Sequence, residues 1–154
     1  MERLLPRLSG ADRTAFLAAA RSLVGTRYRH QGRSVRGVDC VGLPILALSQ
    51  MGIQCEDLFG YDSRPDGVTL QANVEKHLGA PVSQWQAGDI VLMRWFERGE
   101  TVYANHVGIL GVAPYGNRWT LIHSHLADKR VVEHALAAPW DRRVFAVYSL
   151  TGAA

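Results

Sequence analysis

Seven residues decide how the chain is organised: Gly37-Val38-Asp39-Cys40-Val41-Gly42-Leu43. Asp39 is a residue type that caps helices, and a mostly apolar run from Leu43 to Leu48 follows it. The pattern predicts a helix whose first residue is Cys40, with Pro44 favouring a kink or a late start because proline removes a hydrogen-bond donor. Unpaired N–H groups and the helix dipole at such a position favour the thiolate of Cys40 over the thiol. This is the environment of a nucleophilic cysteine.

Length and composition predict one domain over residues 1–154. The chain has 154 residues, of which 47% are hydrophobic and 20% are charged, and this suits a single core. No apolar run approaches the ~20 residues that a membrane span needs. The net charge is +3, but the basic residues are scattered, which argues against nucleic-acid binding and is compatible with an acidic polymer as partner.

The two cysteines are not expected to form a disulfide. A helix from Cys40 to about Met51 would separate them by ~16 Å, at 1.5 Å per residue. The four residues from Gly52 to Cys55 span at most ~14 Å, too little to return the two Cα atoms to within ~7 Å of each other. We therefore interpret Cys55 as structural and Cys40 as a free thiol.

The flanking segments predict helices first and strands later. Ser9-Gly10-Ala11-Asp12 resembles the capping box of a helix that ends at Gly25, residues 26–38 are predicted as a loop, and Val68 to Leu78 has helical spacing. Residues 56–67 and 94–104 are predicted as surface loops. Short connections favour an antiparallel sheet, so the predicted fold class is α+β. The predicted strands are Ile90–Met93, Asn105–Val112, Arg118–His125, Arg130–His134 and Val144–Leu150.

Two histidines lie on neighbouring predicted strands. Partners across an antiparallel hairpin have a constant index sum, and 106 + 123 = 229 centres the turn between Pro114 and Tyr115. In that register His106 and His123 face each other directly, and Gly108 leaves room beside them for a helix end that carries a thiol. A cysteine beside a histidine that a third polar group orients is the general arrangement for nucleophilic catalysis.

Five motifs in order carry a resemblance to one known family. They are Gly25-Thr26-Arg27-Tyr28 followed by Gly32, Val38-Asp39-Cys40 with Gly42, Gln86-Ala87-Gly88-Asp89-Ile90, His106-Val107-Gly108-Ile109 and Leu121-Ile122-His123-Ser124. In combination they resemble the NlpC-type cell-wall peptidases, which are papain-like cysteine peptidases with a minimal α+β core. The matches run from about Gly25 to Ser124.

The resemblance implies an activity and a site. It implies hydrolysis of an amide in peptidoglycan stem peptides, with Cys40 as nucleophile, His106 as general base and acid, His123 as the group that orients His106, and Tyr28 as an active-site hydroxyl. No cofactor or metal is implied. Two departures from the family pattern are that Val41 replaces the common serine and that the turn after the His106 strand is longer than usual. The implied substrate-binding residues are Gly32, Asp39 and Val41.

A finer resemblance concerns the carrier of the enzyme. The segment Ala20–Gly32 and the variant Asp39-Cys40-Val41-Gly42-Leu43 are similar to members found in phage tails and phage-like particles. The start of the chain, Met1–Pro6, is too short and interrupted for a signal peptide. We therefore expect a protein made in the bacterial cytoplasm and carried by a virion or tail-like particle, with tail-tip or hub proteins as partners.

Two other functions compete with this interpretation. A zinc hydrolase could use His123 and His125, which share one strand face, although no His-Glu-x-x-His motif occurs. A non-catalytic structural or wall-binding module of a virion would keep the fold without turnover. The remaining histidines are interpreted as surface residues: His30, His77, His125 and His134.

Overall fold

Three α-helices precede the main sheet. The computed structural model describes residues 3–57, 67–94, 104–114 and 118–152, so most of the two predicted surface loops lies outside the described residues. A capping box at Ser9 and Asp12 starts α1, as predicted. No helix within these ranges is long and apolar enough to cross a membrane. The helices are α1 (Gly10–Ser22), α2 (Gly42–Gln50) and α3 (Gly67–Leu78).

The strands form a small ribbon and one five-stranded antiparallel sheet, which confirms the α+β prediction. The ribbon lies inside the predicted loop 26–38, where strands of two residues each are too short to leave an alternating pattern. The sheet order is β6-β5-β4-β3-β7. The strands are β1 (Arg33–Ser34), β2 (Gly37–Val38), β3 (Ile90–Arg94), β4 (Ala104–Val112), β5 (Trp119–His125), β6 (Arg130–Ala135) and β7 (Val144–Tyr148).

The two faces of the sheet have different cores. One face packs on the helices, with Val107, Ile109 and Ile122 of the sheet in the same cluster as Phe16 and Leu43. The other face is covered by a smaller cluster that includes three tryptophans on its edge. Because side chains alternate along a strand, His106 and His123 project from the second face, away from the helix bodies. The second cluster comprises Val91, Met93, Leu110, Leu121 and Val147, with Trp85, Trp119 and Trp140 partly buried against it.

The register between β4 and β5 differs from the predicted one by two residues. Leu110 pairs with Leu121 and Val112 with Trp119, which gives an index sum of 231 instead of 229. The prediction that His106 and His123 lie directly opposite each other is therefore wrong. A shift of two keeps every side chain on its face, so the two histidines still share a face but occupy diagonal positions.

Helix α2 begins later than Cys40, at Gly42, as the position of Pro44 indicated. Asp39 nevertheless caps it, because its carbonyl accepts the N–H of Leu43 at 3.1 Å and its carboxylate accepts the N–H of Gly42 at 2.8 Å. Gly42 also lies against the backbone of Gly32, and a Cβ at either position would overlap backbone oxygen. Gly42 thus lets α2 approach the preceding loop closely, and Gly32 lets that loop fold back against Gly37.

Because of this close approach, an alanine substitution should have different effects on stability at two glycine positions. Gly42→Ala should destabilise the fold by about 1–3 kcal/mol, because the new methyl group meets the carbonyl of Gly32. Gly10→Ala is the matched control at the first residue of α1, where nothing lies within 4 Å of the added Cβ, and it should be neutral or stabilising. Urea unfolding measures both, and equal midpoints for the two variants would contradict the proposed packing.

Candidate active site

The pairing of β4 with β5 ends before either strand does. The last pair is Ile109 with Ile122, whereas β4 begins at Ala104 and β5 continues to His125. The N–H of Leu110 points to the β3 side, where it donates to Asp89, so the alternation of the backbone directs the N–H of Val107 to the β5 side. The sulfur of Cys40 accepts a hydrogen bond from that Val107 N–H. Cys40 therefore sits where the ladder opens, beside the residue that follows His106.

The thiol of Cys40 is protonated in the resting site. Burial raises its pKa to about 12, and the charge of Asp39 acts in the same direction. The N–H of Val107, the charge of Arg33 and the N–H of Val41 lower it by less. The expectation that the helix N-terminus alone would favour the thiolate is wrong, because desolvation outweighs the backbone donors. Cys40 and Cys55 are both free of disulfide bonds, as predicted.

His106 and His123 meet directly. Nε2 of His106 lies 2.7 Å from Nδ1 of His123, and their ring centroids are 5.0 Å apart at an interplanar angle of 78°. Burial lowers the pKa of His106 to about 3 and that of His123 to about 2. Repulsion from groups that carry positive charge when protonated, His125 and Arg143 beside His106 and three histidines beside His123, lowers both further. Both rings are therefore neutral at pH 7. The contact leaves Nδ1 of His106 as the nitrogen that would take a proton from a thiol.

Two further histidines join this cluster, and both had been interpreted as surface residues. Nε2 of His123 lies 2.8 Å from Nε2 of His134, and the ring of His125 stacks on His123 with centroids 5.1 Å apart. Trp140 packs its ring about 5 Å from each of these three rings. The alternation of β5 places His125 on the face of His123, but the contact with β6 that brings His134 here is not visible in the sequence.

The prediction that His77 is a surface residue is wrong. His77 is buried on α3, and its Nδ1 lies 2.8 Å from the carbonyl oxygen of Asn73. This carbonyl lies one turn before His77 in the same helix. The predicted helix from Val68 to Leu78 therefore contained the spacing that brings the two groups together.

Tyr28 reaches the site on a segment that extends the sheet. Its N–H donates to the carbonyl of Lys129 at 2.9 Å, and it bridges to Val38 of β2, which precedes Cys40. Burial raises the pKa of Tyr28 to about 12, and the negative charges of Asp39 and of the ionised form of Cys40 act in the same direction. Its hydroxyl thus remains a hydrogen-bond donor at neutral pH. A cavity of about 620 Å³ opens here and is lined by Gly25, Arg27, Tyr28, Leu126, Lys129 and Arg130.

The three residues predicted to bind substrate, Gly32, Asp39 and Val41, are all buried. The carboxylate of Asp39 accepts the N–H groups of Gln31 and Gly42 at 2.8 Å each and pairs with Arg33 at 3.0 Å, so it holds the loop in place. Gly32 is buried against the backbone of the same loop. Val41 belongs to the hydrophobic core. Their spacing around Cys40 reflects how the cysteine is positioned, and a sequence motif does not distinguish that role from substrate contact.

A zinc site lacks its ligands in the described part of the chain. No group of three His, Cys, Asp or Glu side chains there is placed to hold a metal ion. Both ring nitrogens of His123 are hydrogen bonded to other histidines, and Nδ1 of His125 pairs with Asp128 at 2.8 Å. The pair that suggested a zinc hydrolase is thus engaged within the protein.

The family can now be assigned. The sequence profile of the NlpC/P60 family matches residues 25–149. The chain belongs to the NlpC/P60 family. Members of this family are peptidoglycan hydrolases and amidases, generally with a cysteine at the site. No curated protein matches the chain.

Solved structures share the fold at low sequence identity. An NLP/P60 family protein from Staphylococcus aureus, described as similar to a lipoprotein, aligns with a TM-score of 0.63 and 17% identity over 99% of this chain. An NlpC/P60 family protein from Bacillus cereus gives 0.63 and 19% over 96% of this chain. This chain spans 46% and 42% of the length of these two. The NlpC/p60 domain of the peptidoglycan hydrolase SagA gives 0.55 and 24% identity, over 89% of this chain and 97% of that domain.

The buried neutral histidines predict acid sensitivity. Unfolded histidine titrates near pH 6.5, so between about pH 6.5 and 3 the unfolded chain binds protons that folded His106 and His123 do not. Stability should therefore fall as pH drops through this window, by up to about 1.4 kcal/mol per pH unit for each histidine. Asp89, whose pKa burial raises to about 6, opposes this trend because its folded form binds the proton more tightly.

Urea unfolding at pH 6.5, 5.5 and 4.5 tests this expectation. His123→Asn should reduce the slope of unfolding free energy against pH by about 1.4 kcal/mol per pH unit, whatever it does to stability at pH 7. His30→Asn removes an exposed histidine and serves as the control. Parallel slopes for the wild type and His123→Asn would show that folded His123 binds protons like the unfolded residue.

Proposed function

We propose that the chain is a cysteine peptidase or amidase that hydrolyses an amide bond in peptidoglycan stem peptides. Cys40 is its nucleophile, His106 its general base and acid, and His123 the residue that orients His106. One observation carries the proposal: the Cys40 sulfur is bonded to the N–H of Val107, adjacent to His106, whose Nε2 is bonded in turn to His123. The nucleophile, the base and the group that orients the base thus lie next to one another in that order.

Acylation begins with a neutral thiol. Sγ of Cys40 attacks the carbonyl carbon of the substrate while its proton moves to Nδ1 of His106. Because the thiol pKa is about 12 and the imidazole pKa about 3, a preformed ion pair is unfavourable, and proton transfer accompanies formation of the C–S bond. The C–N bond then breaks as His106 returns the proton to the leaving nitrogen. The products are a free amine and a thioester on Cys40.

Deacylation uses the same groups in reverse. A water molecule attacks the thioester carbonyl while Nδ1 of His106 takes one of its protons. The C–S bond breaks, the proton returns to Sγ of Cys40, and a carboxylic acid leaves. The protonated hydroxyl of Tyr28 supplies a donor for the negative charge on the carbonyl oxygen in both steps, as its raised pKa favours.

The cleft beside Tyr28 supports an acidic substrate. Three cations line it, from Arg27, Lys129 and Arg130, and no acidic side chain is among its lining residues. Peptidoglycan stem peptides carry carboxylates, which such side chains bind through charge-assisted hydrogen bonds. SagA, whose solved NlpC/p60 domain shares the fold, is a peptidoglycan hydrolase.

Incubation with purified peptidoglycan, followed by mass spectrometry of the released muropeptides, tests this function. The wild type should release fragments cut at one amide, and Cys40→Ala should lower the rate by more than about a thousandfold, because no other group can form the thioester. Cys55→Ala is the matched control, since Cys55 is the second free cysteine and lines a cavity whose lining includes neither His106 nor His123, so this variant should retain activity. Binding to the wall without release of fragments by the wild type would instead identify a non-catalytic module, and activity in Cys40→Ala would exclude this mechanism.

We further propose that a phage tail or tail-like particle carries the enzyme to the cell wall. The proposal is supported by the likeness of segment 20–32 and of residues 39–43 to particle-borne members of the family. Its partners would then be tail-tip or hub proteins of the particle.

Proteomics of purified particles from the source organism tests this location. The chain should be found in the tail fraction at a fixed ratio to the tail proteins, because an assembled component is present in a set number of copies. Particles that form and infect without it, while the protein occurs only free in the cell lysate, would contradict the proposal.

A further inference from the structure

The hydrogen bonds of the site continue one residue beyond His123. Nε2 of His123 lies 2.8 Å from Nε2 of His134, and Nδ1 of His134 lies 2.9 Å from the carbonyl oxygen of Ala135. With the 2.7 Å contact from His106 to His123, this makes a continuous series of three bonds that ends on the backbone of β6. His134 is partly buried, at the outer end of the series.

The last bond determines the direction of all the others. A carbonyl oxygen only accepts, so Nδ1 of His134 carries a hydrogen, and in an imidazole that holds one hydrogen Nε2 is then an acceptor. Nε2 of His123 must therefore donate to it, which leaves Nδ1 of His123 as an acceptor. Nε2 of His106 donates to that acceptor, and its Nδ1 is left without a hydrogen.

We propose that His134 is a positioning residue that sets, through His123, the tautomer in which His106 can accept a proton from Cys40. This inference rests on the proposed function, because it assigns His134 a part in the same reaction. The opposite tautomer would place a hydrogen on Nδ1 of His106 and prevent it from acting as the base. Without the contact to His134, a neutral His123 could carry its hydrogen on either ring nitrogen, so the tautomer of His106 would not be fixed.

The neighbouring ring of His125 does not have this role. It stacks face to face on His123, and its Nδ1 is paired with Asp128. Stacking restricts the plane of the His123 ring but does not select which nitrogen carries the hydrogen. Burial lowers the pKa of both His106 and His123, which keeps the two rings neutral and makes the choice of tautomer meaningful.

Nitrogen-15 NMR of histidine-labelled protein at pH 7.5 tests the proposal, first in the wild type and then in two His134 variants. In the wild type, Nε2 of His106 and of His123 should each show the shift of a protonated ring nitrogen, and both Nδ1 atoms the shift of an unprotonated one. A hydrogen on Nδ1 of His106 would overturn the proposal. In His134→Ala the two rings should shift toward mixed tautomers, whereas His134→Gln, whose amide oxygen can accept from His123, should preserve the wild-type pattern.

Kinetics provide the second readout. His134→Ala should lower kcat about 5- to 10-fold, equivalent to ~1–1.4 kcal/mol for one lost hydrogen bond. KM should be unchanged, because a positioning residue acts through His123. His134→Gln should recover most of that loss. His77→Gln is the matched control, since His77 makes a similar Nδ1 bond to the carbonyl oxygen of Asn73 on α3, and its kcat should match the wild type.

The two proposals fail in different ways. A kcat for His134→Ala equal to that of the wild type, or a loss explained by its folded fraction in urea unfolding, would reject the positioning role while the wild type still cleaves peptidoglycan. A wild type that never cleaves peptidoglycan but shows the expected tautomers would reject the proposed function and leave the bond series as described.

Discussion

Strands β4 and β5 part beyond Ile109 and Ile122, and the arrangement of the site depends on that opening. In a continued ladder the N–H of Val107 would bond to β5, but here it bonds to the sulfur of Cys40. A buried N–H needs an acceptor, so the opening and the cysteine are complementary. The same opening lets the diagonal rings of His106 and His123 come within hydrogen-bond distance.

The loop before α2 keeps the sulfur at this position. Asp39 binds two backbone N–H groups and Arg33, and Arg33 pairs in turn with Asp57 through two nitrogens. The hydroxyl of Ser124 donates to the carbonyl of Val38 at 2.7 Å and so ties the end of β5 to the strand before Cys40. The buried charges and the glycine contacts therefore hold the thiol of Cys40 in place. The cost is desolvation, which favours the neutral forms of the thiol and of the imidazoles.

The sequence predicted the features that depend on local periodicity. The helices and the five strands of the main sheet were found within a few residues, because apolar spacing and caps are local signals. The common face of His106 and His123 followed from the two-residue alternation, which tolerates the register error of two. Three features could not be predicted from the sequence because they depend on the tertiary structure. The pKa of Cys40 depends on burial by distant segments. The other two are the burial of Asp39 and the contact of His134 with His123 across β5 and β6.

The proposed mechanism requires Cys40 to form a covalent intermediate beside His106. Mass spectrometry of enzyme quenched in acid during turnover of a soluble stem-peptide fragment tests it most directly, because a thioester survives acid. The tryptic peptide containing Cys40 should gain the mass of the whole substrate minus that of the leaving amine, and the gain should disappear once substrate is exhausted. Hydrolysis that proceeds with unmodified Cys40 at every time point, together with an unimpaired Cys40→Ala variant, would contradict the account.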